Sequence, residues 1–121
     1  MHYAIIVYET QSDFAARSDP ASAPAYMGAY FAYTQALAQA GIAVGGAGLL
    51  PPPTATTVRV RDGKCLVQDG PFAETKEQLG GFFVIDVPDL DSALAWAARC
   101  PAAALAGVEV RPVLPPPPSS V

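Results

Sequence analysis

Hydrophobic and polar positions along the first 40 residues predict a strand followed by a helix. Tyr3–Tyr8 is a continuous apolar run of strand length, which predicts a central strand buried on both faces. Residues 13–22 show no firm period and are interpreted as a loop or a short turn. From Pro24 to Ala40 the spacing is helical, and Gly41 closes the helix. One buried stripe is predicted on this helix, formed by Met27, Tyr30, Phe31, Thr34, Leu37 and Ala38.

The middle of the chain predicts strands joined by a tight turn. Residues 42–50 form a strand that glycines interrupt and a triple proline ends. Residues 56–61 alternate between apolar and polar, and residues 64–68 form a second strand. Asp62-Gly63 lies between these two strands, and this pair is typical of a two-residue hairpin turn. A β-hairpin is therefore predicted here.

The last third of the chain predicts a strand, a helix and an edge strand. Gly81–Val87 is the strand, and Asp89 is the N-cap of the helix, which ends before Pro101. Its predicted buried stripe is formed by Leu90, Ala93, Leu94 and Ala97. Residues 108–113 are the last strand, and Pro112 places it at a sheet edge.

This order of elements fits an α+β, ferredoxin-like subunit with an inserted β-hairpin. Helices then cover one face of a mainly antiparallel sheet and leave the other face bare. In a chain of 121 residues, we expect a second copy to cover that face, which makes the protein a homodimer. Residues 1–114 form one domain, and the proline-rich residues 115–121 form a mobile tail.

Composition and charge exclude several classes of function. A net charge of −4 argues against nucleic acid as a partner, since phosphate binding needs a surplus of Lys and Arg. The first apolar run stops at Glu9 without the features of a signal peptide, so we expect a cytoplasmic protein with no membrane partner. Two cysteines outside any CxxC pair and one histidine do not make a metal site. We expect no metal and no cofactor.

Charged residues concentrate between residues 59 and 77, which is where chemistry is predicted. Asp69 is interpreted either as a general base at a strand end or as a carboxylate that ties its own Asp-Gly-Pro turn. Glu74 and Lys76 either hold a polar ligand and move a proton, or form a solvated ion pair. These three residues are the catalytic candidates.

Other positions are candidates for ligand binding. Phe72 either walls a pocket or packs the loop onto the core, and Arg59 either binds an anionic substrate or lies on a solvated sheet edge. Tyrosine hydroxyls either point into a pocket or lie in the core or an interface. The full set of binding candidates is Gly70, Phe72, Tyr8, Tyr26, Tyr30 and Arg59.

The central motif also resembles a known family. Asp69-Gly-Pro-Phe72, followed by Ala-Glu-Thr-Lys-Glu-Gln-Leu-Gly-Gly81, is similar to the signature of DGPF-domain proteins, a branch of the YCII-related superfamily. The resemblance covers residues 1–114 and implies a dimeric α+β barrel of ferredoxin-like subunits. The YCII branch typically carries a His near the start of the first helix and an Asp before a proline after the second. Tyr26 and Cys100 stand at those places, so that acid–base pair is not carried over.

Two functions are therefore predicted. In the first, the dimeric barrel binds a small oxygenated or aromatic metabolite, and Asp69 or Glu74 moves a proton in an isomerase- or lyase-like step without a cofactor. Whether the protein is an enzyme at all stays open. The alternative is a non-catalytic module that senses a ligand or binds a regulatory protein. The missing acid–base pair favours it, and the resemblance implies a link to alternative sigma factors.

Overall fold

A computed structural model describes residues 1–117 as a mixed α+β structure, which confirms the α+β part of the predicted fold. The predicted tail at 115–121 lies partly outside the described residues. The strands and helices are, in chain order, β1 (His2–Thr10), α1 (Gln11–Ala16), α2 (Ala23–Gln39), β2 (Ala43–Gly48), β3 (Thr56–Arg61), β4 (Lys64–Asp69), β5 (Glu77–Asp86), α3 (Leu90–Ala98), α4 (Pro101–Leu105) and β6 (Gly107–Pro112).

The sheet has four antiparallel strands in the order β2-β5-β1-β6. β6 is an edge strand, as its proline predicted. β3 and β4 pair with each other in a separate two-stranded sheet, which confirms the hairpin. Its turn residues Asp62 and Gly63 have φ of 52° and 74°, the positive values that a type I′ turn requires.

The helices pack on one face of this sheet. Along β1 the buried positions are Tyr3, Ile5, Val7 and Glu9, and the residues between them are only half-buried. The core joins the three apolar positions to Tyr33 and Leu37 of α2 and to Ala93 and Ala97 of α3. The prediction that β1 is buried on both faces is therefore wrong for the single chain, because nothing in residues 1–117 covers its second face completely.

The open sheet face is the side of the sheet opposite the helices. Strand pairing places Ala4 opposite Val84, Ile6 opposite Phe82, and Tyr8 opposite Leu79. Directly paired residues point to the same side of a sheet, so these six side chains share the open sheet face. Leu79 and Phe82 remain 46% and 38% exposed.

The buried stripes of the two long helices are narrower than predicted. On α2, Tyr33 and Leu37 are buried, whereas Met27, Phe31 and Thr34 are exposed. On α3, Ala93 and Ala97 are buried, and Leu90 and Leu94 stay nearly half exposed. Each helix contacts the core along a single line of two residues, one turn apart. The large side chains on either side of that line are therefore left outside the core.

Two short helices were not predicted. α1 occupies part of the segment interpreted as a loop, and it begins with a capping box in which Thr10 and Asp13 each bond the other's backbone N–H. α4 begins at Pro101, so this proline ends one helix and opens the next. β5 begins at Glu77 rather than at Gly81, which puts Gly80 inside the strand.

Candidate functional site

A cleft of about 640 Å³ lies between α2 and the β2 edge of the sheet. We call it the α2–β2 cleft. Its walls are mainly apolar side chains and glycine backbone, including Met27, Phe31, Val44, Gly46, Gly81 and Phe83. Volumes of 300–1,000 Å³ are typical of small-molecule sites. The exposed residues of α2 thus line a concave surface.

One end of the cleft is polar and is built around Glu9 at the end of β1. This carboxylate is only 3% exposed. Arg17 donates two hydrogen bonds to it, from Nη2 to Oε1 at 2.6 Å and from Nε to Oε2 at 3.2 Å. Tyr26 donates its hydroxyl to Oε2 at 2.6 Å. Burial without such partners would be costly, and this geometry satisfies the carboxylate from both sides.

Arg17 also connects the Glu9 carboxylate to the backbone of β5 and to the residue that follows β2. Its Nη2 donates to the carbonyl of Gly80 at 3.1 Å, and its Nη1 donates to the carbonyl of Leu49. Burial lowers the pKa of Arg17, but the hydrogen bond and charge of Glu9 outweigh it, and the net pKa lies above the ordinary value. The guanidinium is therefore a fixed, charged bridge between β1, β5 and the end of β2.

The Glu9 carboxylate packs directly against Gly80. A Cβ at this position would lie 2.2 Å from Oε1 of Glu9 and 2.7 Å from its Cδ. The position therefore has no room for a side chain while Glu9 keeps this conformation. The Gly80-Gly81 pair of the motif was predicted to allow close approach of backbone or a ligand, and at Gly80 the group that approaches is the Glu9 side chain.

Tyr30 lies beside this polar end and lines the cleft. Its ring centroid is 5.5 Å from that of Tyr26. Its hydroxyl is buried and makes no hydrogen bond to any group in residues 1–117. Burial and the nearby negative charge of Glu9 raise the pKa of Tyr30, so the hydroxyl keeps its proton at neutral pH. Tyr30 therefore lines the cleft and carries a buried hydrogen-bond donor that has no partner in residues 1–117.

The structure brings together some predicted site residues and separates others. Tyr26 and Tyr30 meet at the cleft. The catalytic candidates Asp69, Glu74 and Lys76 are exposed and line neither this cleft nor the groove described next. At the Asp-Gly-Pro turn, the backbone N–H of Gly70 donates to the carbonyl of Ala55, and the carbonyl of Gly70 accepts from the hydroxyl of Thr57. A catalytic role for the three residues stays a prediction.

A second concavity, of about 650 Å³, lies at the base of the hairpin, and Tyr8 and Phe72 line this hairpin groove. Arg59 and Gly70 do not line it. The Arg59 guanidinium stacks on the ring of Phe72, with its Cζ 4.5 Å from the ring centroid, and its binding of an anionic substrate stays a prediction. The hydroxyl of Tyr8 donates to Glu109 at 3.4 Å.

Sequence reasoning missed Glu9, Arg17 and Gly80 as members of one site. The signal for Glu9 was a charged residue in phase with buried Tyr3, Ile5 and Val7 on one strand. Arg17 lay in the segment interpreted as a loop, and nothing in its neighbours marked it as a partner of Glu9. Their meeting depends on the turn of the chain between β1 and α2.

A comparison with protein families identifies the family of this chain. The model of the YCII-related domain matches residues 1–116. The chain belongs to the YCII-related domain family. It is also 55% identical over 49 residues to an uncharacterised protein of Rhizobium meliloti (strain 1021), and this alignment covers 40% of each chain. The family assignment covers nearly all the residues that build the α2–β2 cleft and the hairpin groove.

Tyr26 and Cys100 stand at the two positions where the YCII branch typically carries His and Asp. Tyr26 lines the α2–β2 cleft, whereas Cys100 belongs to the buried core. Tyr26 lies in the cleft, where burial and the hydrogen bond to Glu9 raise its pKa above the ordinary value. Cys100 is 2% exposed, and burial raises the pKa of its thiol, so it stays neutral. Both groups are therefore protonated at neutral pH.

Residues 1–117 contain neither a metal-binding cluster nor a helix that could span a membrane. These residues hold no group of three or more His, Cys, Asp or Glu side chains placed to bind a metal ion. In the same part of the chain, no helix has the length and apolar character needed to cross a membrane.

Proposed function

We propose that this YCII-related protein binds a small, largely apolar molecule in the α2–β2 cleft. The observation that carries the proposal is the Tyr30 hydroxyl, which is buried at the cleft without a hydrogen bond to any described residue. A buried donor without a partner costs about 1–3 kcal/mol. A ligand oxygen that accepts from Tyr30 would recover that cost, and the apolar walls would supply the rest of the binding free energy.

The same geometry favours binding over proton transfer. Glu9 is the carboxylate nearest the cleft, but Arg17 and Tyr26 occupy both of its oxygens. In this arrangement both Glu9 oxygens already accept hydrogen bonds, so Glu9 is not a free base for a ligand in the cleft. The carboxylates of Asp69 and Glu74, which were predicted to move a proton, lie outside this cleft. The function that the site supports best is recognition of a small molecule.

The first prediction concerns the Tyr30 hydroxyl. Tyr30→Phe should weaken binding of the neutral dye Nile red by about 2- to 10-fold, the value of one hydrogen bond, while leaving the thermal midpoint unchanged or raised. Tyr33→Phe on the same helix is the matched control, since its hydroxyl donates to the carbonyl of Trp96 at 2.8 Å in the core. That control should lose stability by about 1 kcal/mol and keep its affinity for the dye.

Fluorescence titration and thermal unfolding of both variants give the answer. The proposal is overturned if Tyr30→Phe and Tyr33→Phe retain equal affinity for the dye, or if the wild-type protein binds neither Nile red nor any of three smaller naphthalenes, 2-acetonaphthone, 2-naphthoate and 2-ethylnaphthalene. A fall in stability for Tyr30→Phe as large as that for Tyr33→Phe would also contradict it, because the Tyr30 hydroxyl would then have a partner within the fold.

We also propose that the protein is a homodimer of ferredoxin-like subunits that forms an α+β barrel. The order β2-β5-β1-β6 supports the subunit fold. The open sheet face supports the dimer, because Leu79 and Phe82 are large, apolar and more than one-third exposed on it. A second copy that lays the same face against this one would bury both sets of side chains. The helix-side cleft would stay accessible in such a dimer.

The second prediction tests this arrangement. Leu79→Glu places a charge on the open sheet face and should convert a dimer, with twice the 12.5 kDa mass of the chain, into a monomer. Leu90→Glu is the control, since Leu90 is 48% exposed, close to the 46% of Leu79, but lies at the start of α3. Light scattering after size exclusion measures the mass. A wild-type protein at the mass of one chain, or equal masses for both variants, would rule out this interface.

A further inference from the structure

Charge in the α2–β2 cleft is internally balanced. Of the residues that line it, Glu9 and Arg17 are the two with charged side chains, and they pair with each other through two hydrogen bonds. The cleft therefore presents no net charge to a ligand from the described residues. Its polar contacts come from hydroxyl groups and from backbone.

Arg17 is not available to bind an anion. Its Nε and Nη2 donate to Glu9, Nη2 donates also to Gly80, and Nη1 donates to the carbonyl of Leu49. A carboxylate ligand could pair with this guanidinium only by displacing Glu9. The displaced Glu9 carboxylate, at 3% exposure, would then be left as a buried charge without its partner, which is strongly unfavourable.

Among the side chains of the cleft, the hydroxyl without a partner is that of Tyr30. It is buried beside Tyr26 and makes no hydrogen bond to any group in residues 1–117. The opposite walls are apolar and include Met27, Phe31 and Phe83. A hydroxyl in such a place favours an acceptor oxygen that carries no formal charge, since the surrounding apolar walls penalise an ion.

We infer that the cleft selects an uncharged molecule with a carbonyl or ether oxygen on an apolar, ring-sized body, and rejects its carboxylate counterpart. This inference rests on the proposed function and names the chemical class of the ligand. It is independent of the expectation that Arg59 binds an anionic substrate, because Arg59 is not among the residues that line the cleft.

Three naphthalenes of similar size test the inference. 2-Acetonaphthone has a neutral carbonyl, 2-naphthoate is an anion at pH 7.5, and 2-ethylnaphthalene has no acceptor. Equilibrium dialysis against the wild-type protein should rank acetonaphthone first. It should bind at least about 10-fold more tightly than naphthoate, and about 2- to 10-fold more tightly than ethylnaphthalene, the value of one hydrogen bond.

The Tyr30→Phe variant separates the two parts of the inference. It should abolish the advantage of acetonaphthone over ethylnaphthalene and keep the rejection of naphthoate, because Arg17 and Glu9 are unchanged. Tyr33→Phe should preserve the wild-type ranking, since its hydroxyl bonds inside the core. Competition with Nile red shows whether the three compounds occupy one site.

The results distinguish the inference from the proposed function. If naphthoate binds as tightly as acetonaphthone, the exclusion of anions is wrong although the cleft still binds small molecules. If ethylnaphthalene equals acetonaphthone in the wild-type protein, the role of the acceptor oxygen is wrong. If neither Nile red nor any of the three naphthalenes binds, the proposed function itself fails.

Discussion

Arg17→Met is expected to lower the free energy of unfolding by about 3–5 kcal/mol, the usual cost of removing one partner from a buried ion pair. The methionine keeps much of the volume of the side chain but leaves the Glu9 carboxylate with the Tyr26 hydroxyl as its remaining partner. It also removes the donors to the carbonyls of Gly80 and Leu49, which hold β5 and the end of β2 together. In a chain of 121 residues, this loss corresponds to a fall of roughly 10–20 °C in the thermal midpoint.

Arg111→Met is the matched control for this prediction. Arg111 also pairs with a glutamate, Glu109, but its side chain is 71% exposed, compared with 19% for Arg17. Exposed ion pairs contribute about 0–1 kcal/mol, so the control should remain close to wild type in urea denaturation. Equal losses for the two variants would show that burial does not strengthen the Glu9–Arg17 pair.

A double variant, Glu9→Gln with Arg17→Met, identifies the cause of the loss. If the loss comes from an uncompensated buried charge, the double variant should be more stable than Arg17→Met alone, because a neutral amide replaces the carboxylate. If the loss comes only from the missing bonds to Gly80 and Leu49, the double variant should be no more stable than the single one. That second result would contradict the electrostatic explanation.

Gly46→Ala is the second substitution with a large expected effect, a loss of about 2–5 kcal/mol. Gly46 has φ of +150°, which side chains rarely adopt, and a Cβ there would lie 2.5 Å from the carbonyl oxygen of Phe82 and 3.1 Å from the Cα of Phe83. These are backbone atoms of the paired strand β5, so they cannot yield by rotation of a side chain. Strain and overpacking each cost about 1–3 kcal/mol. Because β2 is a wall of the cleft, affinity for Nile red should fall as well.

Gly45→Ala, one residue earlier on the same strand, is the control. Gly45 does not have positive φ, and a Cβ there would have no heavy atom within 4 Å. In its free energy of unfolding, this variant should stay within about 1 kcal/mol of wild type. Urea denaturation of both variants measures the difference. Similar stabilities for Gly45→Ala and Gly46→Ala would mean that β2 is not pressed against β5 in solution.

Local signals in the sequence predicted the elements well where a single residue has a strong backbone preference. Asp62-Gly63 predicted the hairpin turn, and both residues have the required positive φ. Asp89 predicted a helix N-cap, and its carboxylate accepts the backbone N–H of Ser92 at 2.8 Å. Pro112 predicted an edge strand. These outcomes depend on neighbours in the chain, so no tertiary information was needed.

Predictions that required the position of a helix on the sheet were wrong. The spacing of Met27, Phe31 and Leu37 suggested one buried stripe, yet only Leu37 of the three is buried. Periodicity identifies residues on one side of a helix, but it does not say how far the helix covers the sheet. α2 packs over β1 and leaves the β2 edge uncovered, so the other two side chains line a cleft.

The sequence by itself determined the α+β class, the hairpin, the Asp89 N-cap and the family, because each depends on a short motif or on alternation of apolar and polar residues. Only the tertiary structure decided the site. Glu9 and Arg17 are eight positions apart and Gly80 is far along the chain, but the three meet because β1 pairs with β5 and the chain turns back between β1 and α2. The concentration of charged residues at 59–77 predicted a site there. Charged residues are also frequent at exposed surfaces, so charge density alone does not distinguish a site from a solvated segment. Burial, which follows from packing, is what separates the Glu9 carboxylate from those solvated groups.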